Sequence, residues 1–357
     1  MNRFKQGLFV CLALALGAAS IGTSWGGKSA GDRVETFATL PDGVRFPEGI
    51  TANPATGDIF VATFDFGPNA NTLLRYDRHG RLVAQRDFGA TPLLGLAFGP
   101  ADGKVYIANF GASMIQRIVA NFDGGSAIED VAAVPMIGAP ANRIEGNPDG
   151  STDLIQFGSN AFPAPNAMVF DQSGNLYVSD SFQGAIHRIA GAHGCATPCP
   201  AATIVHSPLL ATAGFPPFGA NGLALSQDGS TLFVANTGDD RILKVDLATL
   251  AVSVLAESVN GADGIAFDRR GTLWVAANQA DEIVGLDENG RVVAQVGGFE
   301  GIRHGAPRGL LFPASIVVLG HQLYVTNLAL ALTPAEGDEW EENVTRWTVS
   351  RVRLPRR

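Results

Sequence analysis

Ile59-Phe60-Val61-Ala62-Thr63 is the stretch on which the fold turns, because its pattern returns five more times along the chain. The later copies are Val105-Tyr106-Ile107-Ala108-Asn109, Leu176-Tyr177-Val178-Ser179-Asp180, Leu232-Phe233-Val234-Ala235-Asn236, Leu273-Trp274-Val275-Ala276-Ala277 and Leu323-Tyr324-Val325-Thr326-Asn327. Each runs from an apolar residue through an aromatic and Val or Ile to a small residue, usually followed by Asn or Asp. Short unbroken runs of β-branched and aromatic residues fit strands buried on both faces. Some ten to twelve residues earlier lies a second apolar strand, such as Gly95-Leu96-Ala97-Phe98 or Gly264-Ile265-Ala266-Phe267, usually separated by an Asp-Gly, Ser-Gly or Thr-Gly turn.

Working outward, a third strand follows each copy at 73–77, 114–119, 185–190, 241–247, 282–287 and 347–354. Fourth strands fit at 82–87, 130–136, 203–207, 251–256 and 292–296. The aromatic positions are spaced by 46, 71, 56, 41 and 50 residues. Four strands per unit at this period predict an all-β fold, a six-bladed β-propeller. The sixth unit lacks a fourth strand, and Arg33-Val34-Glu35-Thr36-Phe37 is expected to supply it from the N-terminal side, closing the ring and removing a sheet edge.

Composition agrees. The chain has 43 glycines and 20 prolines in 357 residues, too many for a coiled coil or helical bundle. With 46% apolar residues and 21 phenylalanines, disorder is excluded. The net charge of −9 and the absence of a basic cluster before Arg356-Arg357 argue against nucleic acid as a partner and against an anionic membrane surface.

Arg3 and Lys5 precede an apolar run from Gly7 to about Ala19, followed by small residues. This reads as a secretory leader over 1–20, with a linker over 21–32 and a single propeller over 33–357. The expected location is periplasmic or secreted, as a monomer with no membrane span once the leader is removed, since no other stretch approaches the ~20 apolar residues a span requires. In an oxidising compartment Cys195 and Cys199, in Cys-Ala-Thr-Pro-Cys, are expected to form a small loop disulfide.

The innermost strands of a propeller line its central channel, so the residue opening each one is aimed at the axis. That column reads Glu48, Leu94, Asn166, Asn221, Asp263 and Ala314. Two carboxylates and two amide carbonyls from four blades are hard oxygen donors that suit Ca²⁺. Asn and Asp before a strand are also ordinary turn chemistry, which does not account for Glu48.

Phe46-Pro47-Glu48-Gly49, Ala220-Asn221-Gly222-Leu223-Ala224 and Ala262-Asp263-Gly264-Ile265-Ala266-Phe267 resemble signature segments of the senescence marker protein (regucalcin) and gluconolactonase family, whose relatives include diisopropylfluorophosphatase and the paraoxonases. The resemblance extends from about Phe46 to Leu354, with Asn166-Ala167 departing from the commoner Asn-Gly. It implies a six-bladed propeller holding Ca²⁺, or another divalent ion such as Zn²⁺ or Mn²⁺, on Glu48, Asn166, Asn221 and Asp263. It also implies hydrolysis of small-molecule lactones or organophosphates. A cation bound there would polarise the substrate oxygen, with Asp263 first and Glu48 second expected to orient or deprotonate the attacking water, and direct carboxylate attack as a second route.

Loops after the second strands are expected to frame the pocket. They contain Phe64, Asp65, Phe66, Asn109, Phe110, Asp180, Phe182, Asn236, Asp239 and Asn278, with the phenylalanines forming an apolar mouth. His304, on the approach to the last blade, is a candidate proton shuttle. No Gly-x-Ser-x-Gly elbow, phosphate loop or His-Glu-x-x-His helix is present. Two other readings stay open: a non-catalytic module binding a protein, peptide or glycan, which needs no convergent carboxylates, and a metal-free enzyme resembling strictosidine synthase, which needs only Glu48.

Overall fold

The computed structural model describes residues 34–157 and 162–354. The expected leader and linker, and Arg33 at the head of the closing strand, lie outside the described residues. Six four-stranded antiparallel sheets form the ring. The first is β2 (Pro47–Ala52), β3 (Ile59–Thr63), β4 (Thr72–Tyr76) and β5 (Leu82–Asp87); the second is β6 (Leu96–Phe98), β7 (Lys104–Asn109), β8 (Met114–Val119) and β9 (Glu129–Ala133). After a hairpin of β10 (Arg143–Gly146) and β11 (Thr152–Ile155), the third blade is β12 (Pro165–Phe170), β13 (Leu176–Asp180), β14 (Ala185–Ile189) and β15 (Ala201–His206). The fourth holds β16 (Ala220–Leu225), β17 (Thr231–Asn236), β18 (Arg241–Asp246) and β19 (Val252–Ala256). The fifth holds β20 (Ala262–Phe267), β21 (Leu273–Ala277), β22 (Glu282–Leu286) and β23 (Val292–Gly297). A second hairpin, β24 (Phe299–Arg303) and β25 (Ala306–Gly309), leads to β26 (Pro313–Leu319), β27 (Gln322–Asn327) and β28 (Thr348–Arg353).

The sixth blade is completed from the other end of the chain: β1 (Val34–Thr39) pairs antiparallel with β28, Val34 opposite Val352 and Thr39 opposite Thr348. Phe37 of β1 sets its ring edge-on to Tyr324 at 4.9 Å and Tyr76 at 6.4 Å, joining the last blade to the first.

The repeat forms the second strand of every blade, and β3, β13 and β21 are buried along their whole length. Burial on both faces explains why these strands read as unbroken apolar runs. The outermost strands face water, as in β5, where no residue is fully buried. The apolar core is divided among the blade interfaces, for example Phe60, Leu73, Leu96, Val105 and Ile118 between the first and second blades. Cys195 and Cys199 are bonded, with Cα atoms 5.7 Å apart, in the loop joining β14 to β15.

Candidate functional site

The first strand of every blade but the second opens on a local irregularity. Its first residue pairs with the end of the second strand, and the register then shifts before the fourth, as between Pro47 and Ile50, Ala220 and Leu223, or Ala262 and Ile265. An extra residue in a strand re-aims the side chain it carries, and here that residue is the axial one. Glu48, Asn166, Asn221 and Asp263 are only 2–5% exposed and line one cleft that encloses about 390 Å³ open to solvent. Neighbouring first strands approach so closely there that a Cβ on Gly222 would lie 2.2 Å from Asp263 O, and one on Gly49 2.1 Å from Leu94 O. The glycines after Glu48, Asn221 and Asp263 are therefore set by inter-blade contact.

A second column stands beside the first. The residue just past each second strand is Phe64, Phe110, Ser181, Thr237, Asn278 or Leu328. Polar members accompany three of the polar axial residues, and Phe110 and Leu328 accompany the apolar positions Leu94 and Ala314. Ser181 Oγ donates to Ala220 O at 2.7 Å, so it accepts from Asn166 Nδ2 at 3.0 Å. Thr237 Oγ1 likewise donates to Ala262 O at 2.7 Å and accepts from Asn221 Nδ2 at 2.9 Å. A hydroxyl has one proton, and once it is committed the hydroxyl can only accept. Both amides are thereby fixed with nitrogen outward and Oδ1 turned to the cleft.

Asn278 Nδ2 donates to Asp263 Oδ2 at 3.0 Å and leaves Asp263 Oδ1 without a partner. Glu48, beside Phe64 instead of a hydroxyl or amide, leaves Oε2 without a partner as well. Burial, and next the nearby charge of Asp263, pushes the Glu48 carboxyl well above the usual carboxylate range, with Ser315 opposing. Burial raises Asp263 to about 7 against the hydrogen bond of Asn278. Two dry carboxyls with unpartnered oxygens are costly unless a cation or a proton occupies the space between them.

The other sequence candidates divide. Phe64 lines the cleft, and Phe110 and Phe182 pack behind it with ring centroids 5.4 Å from Phe64 and 5.7 Å from Phe110 respectively. Phe66 is 70% exposed at the edge of the same cluster. Asn109 and Asn236 do not line the cleft: Asn109 caps the 3₁₀ turn Phe110–Ala112, and Asn236 donates to Leu209 O and Ala211 O. Asp180 is consumed structurally, accepting from Ala164 N, Gln183 and the buried His187. His304 sits exposed on the turn between β24 and β25, away from the cleft lining. Reading one residue further at each repeat would have found Ser181 and Thr237. Pro216, Phe218, Phe312, Leu330 and Leu332 also line the cleft, but they come from connectors without periodicity and carry no such signal.

The donor set fits a hard divalent cation: two unpartnered carboxylate oxygens face two carbonyl oxygens whose orientation is fixed. Among the described residues no cluster of three or more His, Cys, Asp or Glu side chains gathers, so the candidate set depends on the amides.

The family resemblance read from the sequence is borne out. Residues 164–297 match the family model described as SMP-30/Gluconolactonase/LRE-like region, a stretch that holds Asn166, Asn221 and Asp263. Among solved structures, a luciferin-regenerating enzyme superposes with a TM-score of 0.59 at 18% identity, covering 90% of this chain and 94% of the other. A calcium-binding protein, regucalcin, from Agrobacterium tumefaciens gives 0.56 at 15% identity, covering 89% and 96%. A gluconolactonase from Xanthomonas campestris gives 0.55 at 14%, covering 91% of each. A search of curated proteins finds no match to this chain. At these identities the structural likeness speaks for the propeller fold.

Proposed function

We propose that the chain is a divalent-metal-dependent hydrolase of the lactonase type, exported to the periplasm or beyond and acting as a monomer on a small molecule. The observation that carries this reading is the pair of unpartnered, buried oxygens, Glu48 Oε2 and Asp263 Oδ1, in a cleft whose two asparagines are fixed with carbonyls inward. A binding module needs no such convergence, and a metal-free enzyme built on Glu48 alone leaves Asn166, Asn221 and Asp263 without a role.

Glu48, Asn166, Asn221 and Asp263 would hold the cation, which supplies polarisation of the substrate carbonyl or phosphoryl oxygen and acidification of the attacking water. Asn278 anchors Asp263 Oδ2 and keeps Oδ1 directed at the cleft. Asp263 Oδ1 is the acceptor for the water proton as the water oxygen bonds to the carbonyl carbon. When the ring C–O bond breaks, that proton passes to the leaving alkoxide and the product is a hydroxy acid. Phe64, Phe218 and Phe312 wall the cleft and limit bulk water around the reacting groups.

The test is a panel of a lactone, an aryl ester and a phosphotriester, assayed before EDTA, after EDTA and after addition of Ca²⁺, Mn²⁺ or Zn²⁺. Activity is expected to vanish with chelation and return with one of the ions. Glu48→Gln and Asp263→Asn should each lower metal affinity and hydrolysis together, by at least about tenfold. Hydrolysis indifferent to EDTA, or surviving both substitutions, would refute the proposal.

A further inference from the structure

We infer that the cleft selects an apolar lactone or ester, one carrying an alkyl or aryl tail, over a polyhydroxylated sugar lactone; this rests on the hydrolytic reading of the same site. Apart from the axial residues, the cleft is walled by Phe64, Pro216 and Phe218 on one side and by Phe312, Leu330 and Leu332 on another. Of the remaining polar lining groups, Thr237 is already committed, and Asn278 keeps a single free acceptor, Oδ1. Thr237 gives its proton to Ala262 O and accepts from Asn221, and Asn278 Nδ2 donates to Asp263. Among the described residues, Glu48 and Asp263 are the only charged ones in the lining.

A sugar lactone entering this space would desolvate several hydroxyls against carbon. Each hydroxyl left unpaired costs about 1–3 kcal/mol, roughly a 5- to 150-fold loss, and sites that select hydroxylated substrates supply a partner for each. An alkyl tail instead gains about fourfold per buried methylene, at ~0.8 kcal/mol each.

The apolar wall continues beyond the cleft as packed rings. Phe64 meets Phe66 at 4.7 Å and Phe218 at 6.2 Å, Phe218 meets Phe182 at 5.3 Å, and Phe182 meets Phe162 at 4.8 Å, mostly edge to face. These rings form a continuous tract from the cleft to solvent, ending at Phe66, 70% exposed, and Phe162, 40% exposed. They come from two second-strand loops and two blade connectors, so no single local fold accounts for their meeting.

The experiment compares kcat/KM for γ-lactones with side chains of one to eight carbons against glucono-δ-lactone, using Ca²⁺-loaded full-length protein. In parallel, calorimetry measures binding of the non-hydrolysable 5-alkylpyrrolidin-2-ones and of gluconolactam. The expected result is a rise of about two- to fourfold per methylene over the first several carbons, with the sugar lactone at least about a hundredfold below the best alkyl lactone. Phe218→Asn and Leu330→Asn, each checked for native melting, should flatten the chain-length dependence. Preference for the sugar lactone, or a flat series in both hydrolysis and binding, would overturn the inference while leaving the hydrolase intact. Binding that favours the alkyl lactam without any hydrolysis would support this inference and overturn the hydrolytic reading instead.

Discussion

Ser181 and Thr237 decide which atom of Asn166 and Asn221 faces the axis. Neither residue needs to touch a substrate or a cation; each acts by exhausting its proton on the carbonyl of the next blade, Ala220 O or Ala262 O. Ser181→Ala and Thr237→Val remove that constraint and let the amides turn. Outer partners of metal ligands typically contribute 10- to 100-fold to affinity, so Ca²⁺ binding by calorimetry should weaken by about that range. The metal-free protein should also lose about 1–3 kcal/mol, because a buried carbonyl loses its donor. Ser181→Thr and Thr237→Ser keep the hydroxyl and should restore Ca²⁺ affinity, a rescue that a purely volumetric role would not produce. Equal Ca²⁺ affinity in Thr237→Val and the parent protein would refute the positioning role. The axial column was legible in the sequence because each blade places it ten to twelve residues before its repeat aromatic; the hydroxyls stand at a constant offset, one residue past the repeat.

At the scale of the element, each first strand meets the next blade in one of two ways. Where the residue after the axial position is glycine, at Gly49, Gly95, Gly222 and Gly264, the small residue of the second strand is alanine: Ala62, Ala108, Ala235 and Ala276. Where it carries a Cβ, at Ala167 and Ser315, the small residue is Ser179 or Thr326. Gly95 N donates directly to Asn166 O at 2.9 Å, whereas Ala167 N donates to Ser179 Oγ, which donates onward to Asn221 O at 2.7 Å. Thr326 makes the same relay from Ser315 N to Glu48 O. The hydroxyl spans the gap that the extra carbon opens. Ser179→Ala should cost about 1–3 kcal/mol in chemical denaturation, and adding Ala167→Gly should recover part of it by re-creating the direct pairing that Gly95 N makes. A coupling energy below about 0.5 kcal/mol in the double-mutant cycle would show the two positions to be independent. Strand order and the closing role of Val34–Thr39 could be read from the sequence because the second strands are buried on both faces and so are uninterrupted. The hairpins β10–β11 and β24–β25 could not, since they stand outside the repeat; His304, the candidate proton shuttle, lies on the turn of the second.

At the scale of the whole molecule, the candidate ligands come from the first, third, fourth and fifth blades, so the axial column links distant parts of a ring that β1 holds shut. Without a cation, the ring bears the cost of two buried carboxyls whose pKa values are raised, Asp263 to about 7 and Glu48 well above its usual range. Below about pH 4 both groups are protonated whether the chain is folded or not, and they impose no penalty. As pH rises from about 4 toward 7 the unfolded chain releases these protons while the folded chain holds them longer, so stability falls, and Glu48 adds to the fall. The melting temperature of EDTA-treated protein should therefore decline across this window, after allowance for the other carboxylates by comparison with a Glu48→Gln/Asp263→Asn double variant whose slope is flatter. Saturating Ca²⁺ should reverse the trend, stabilising the parent most at neutral pH, because binding requires the deprotonated carboxylates. A metal-free parent whose pH profile coincides with that of the double variant would show that the axial carboxyls impose no cost on the ring, and would remove the thermodynamic reason for a cation there.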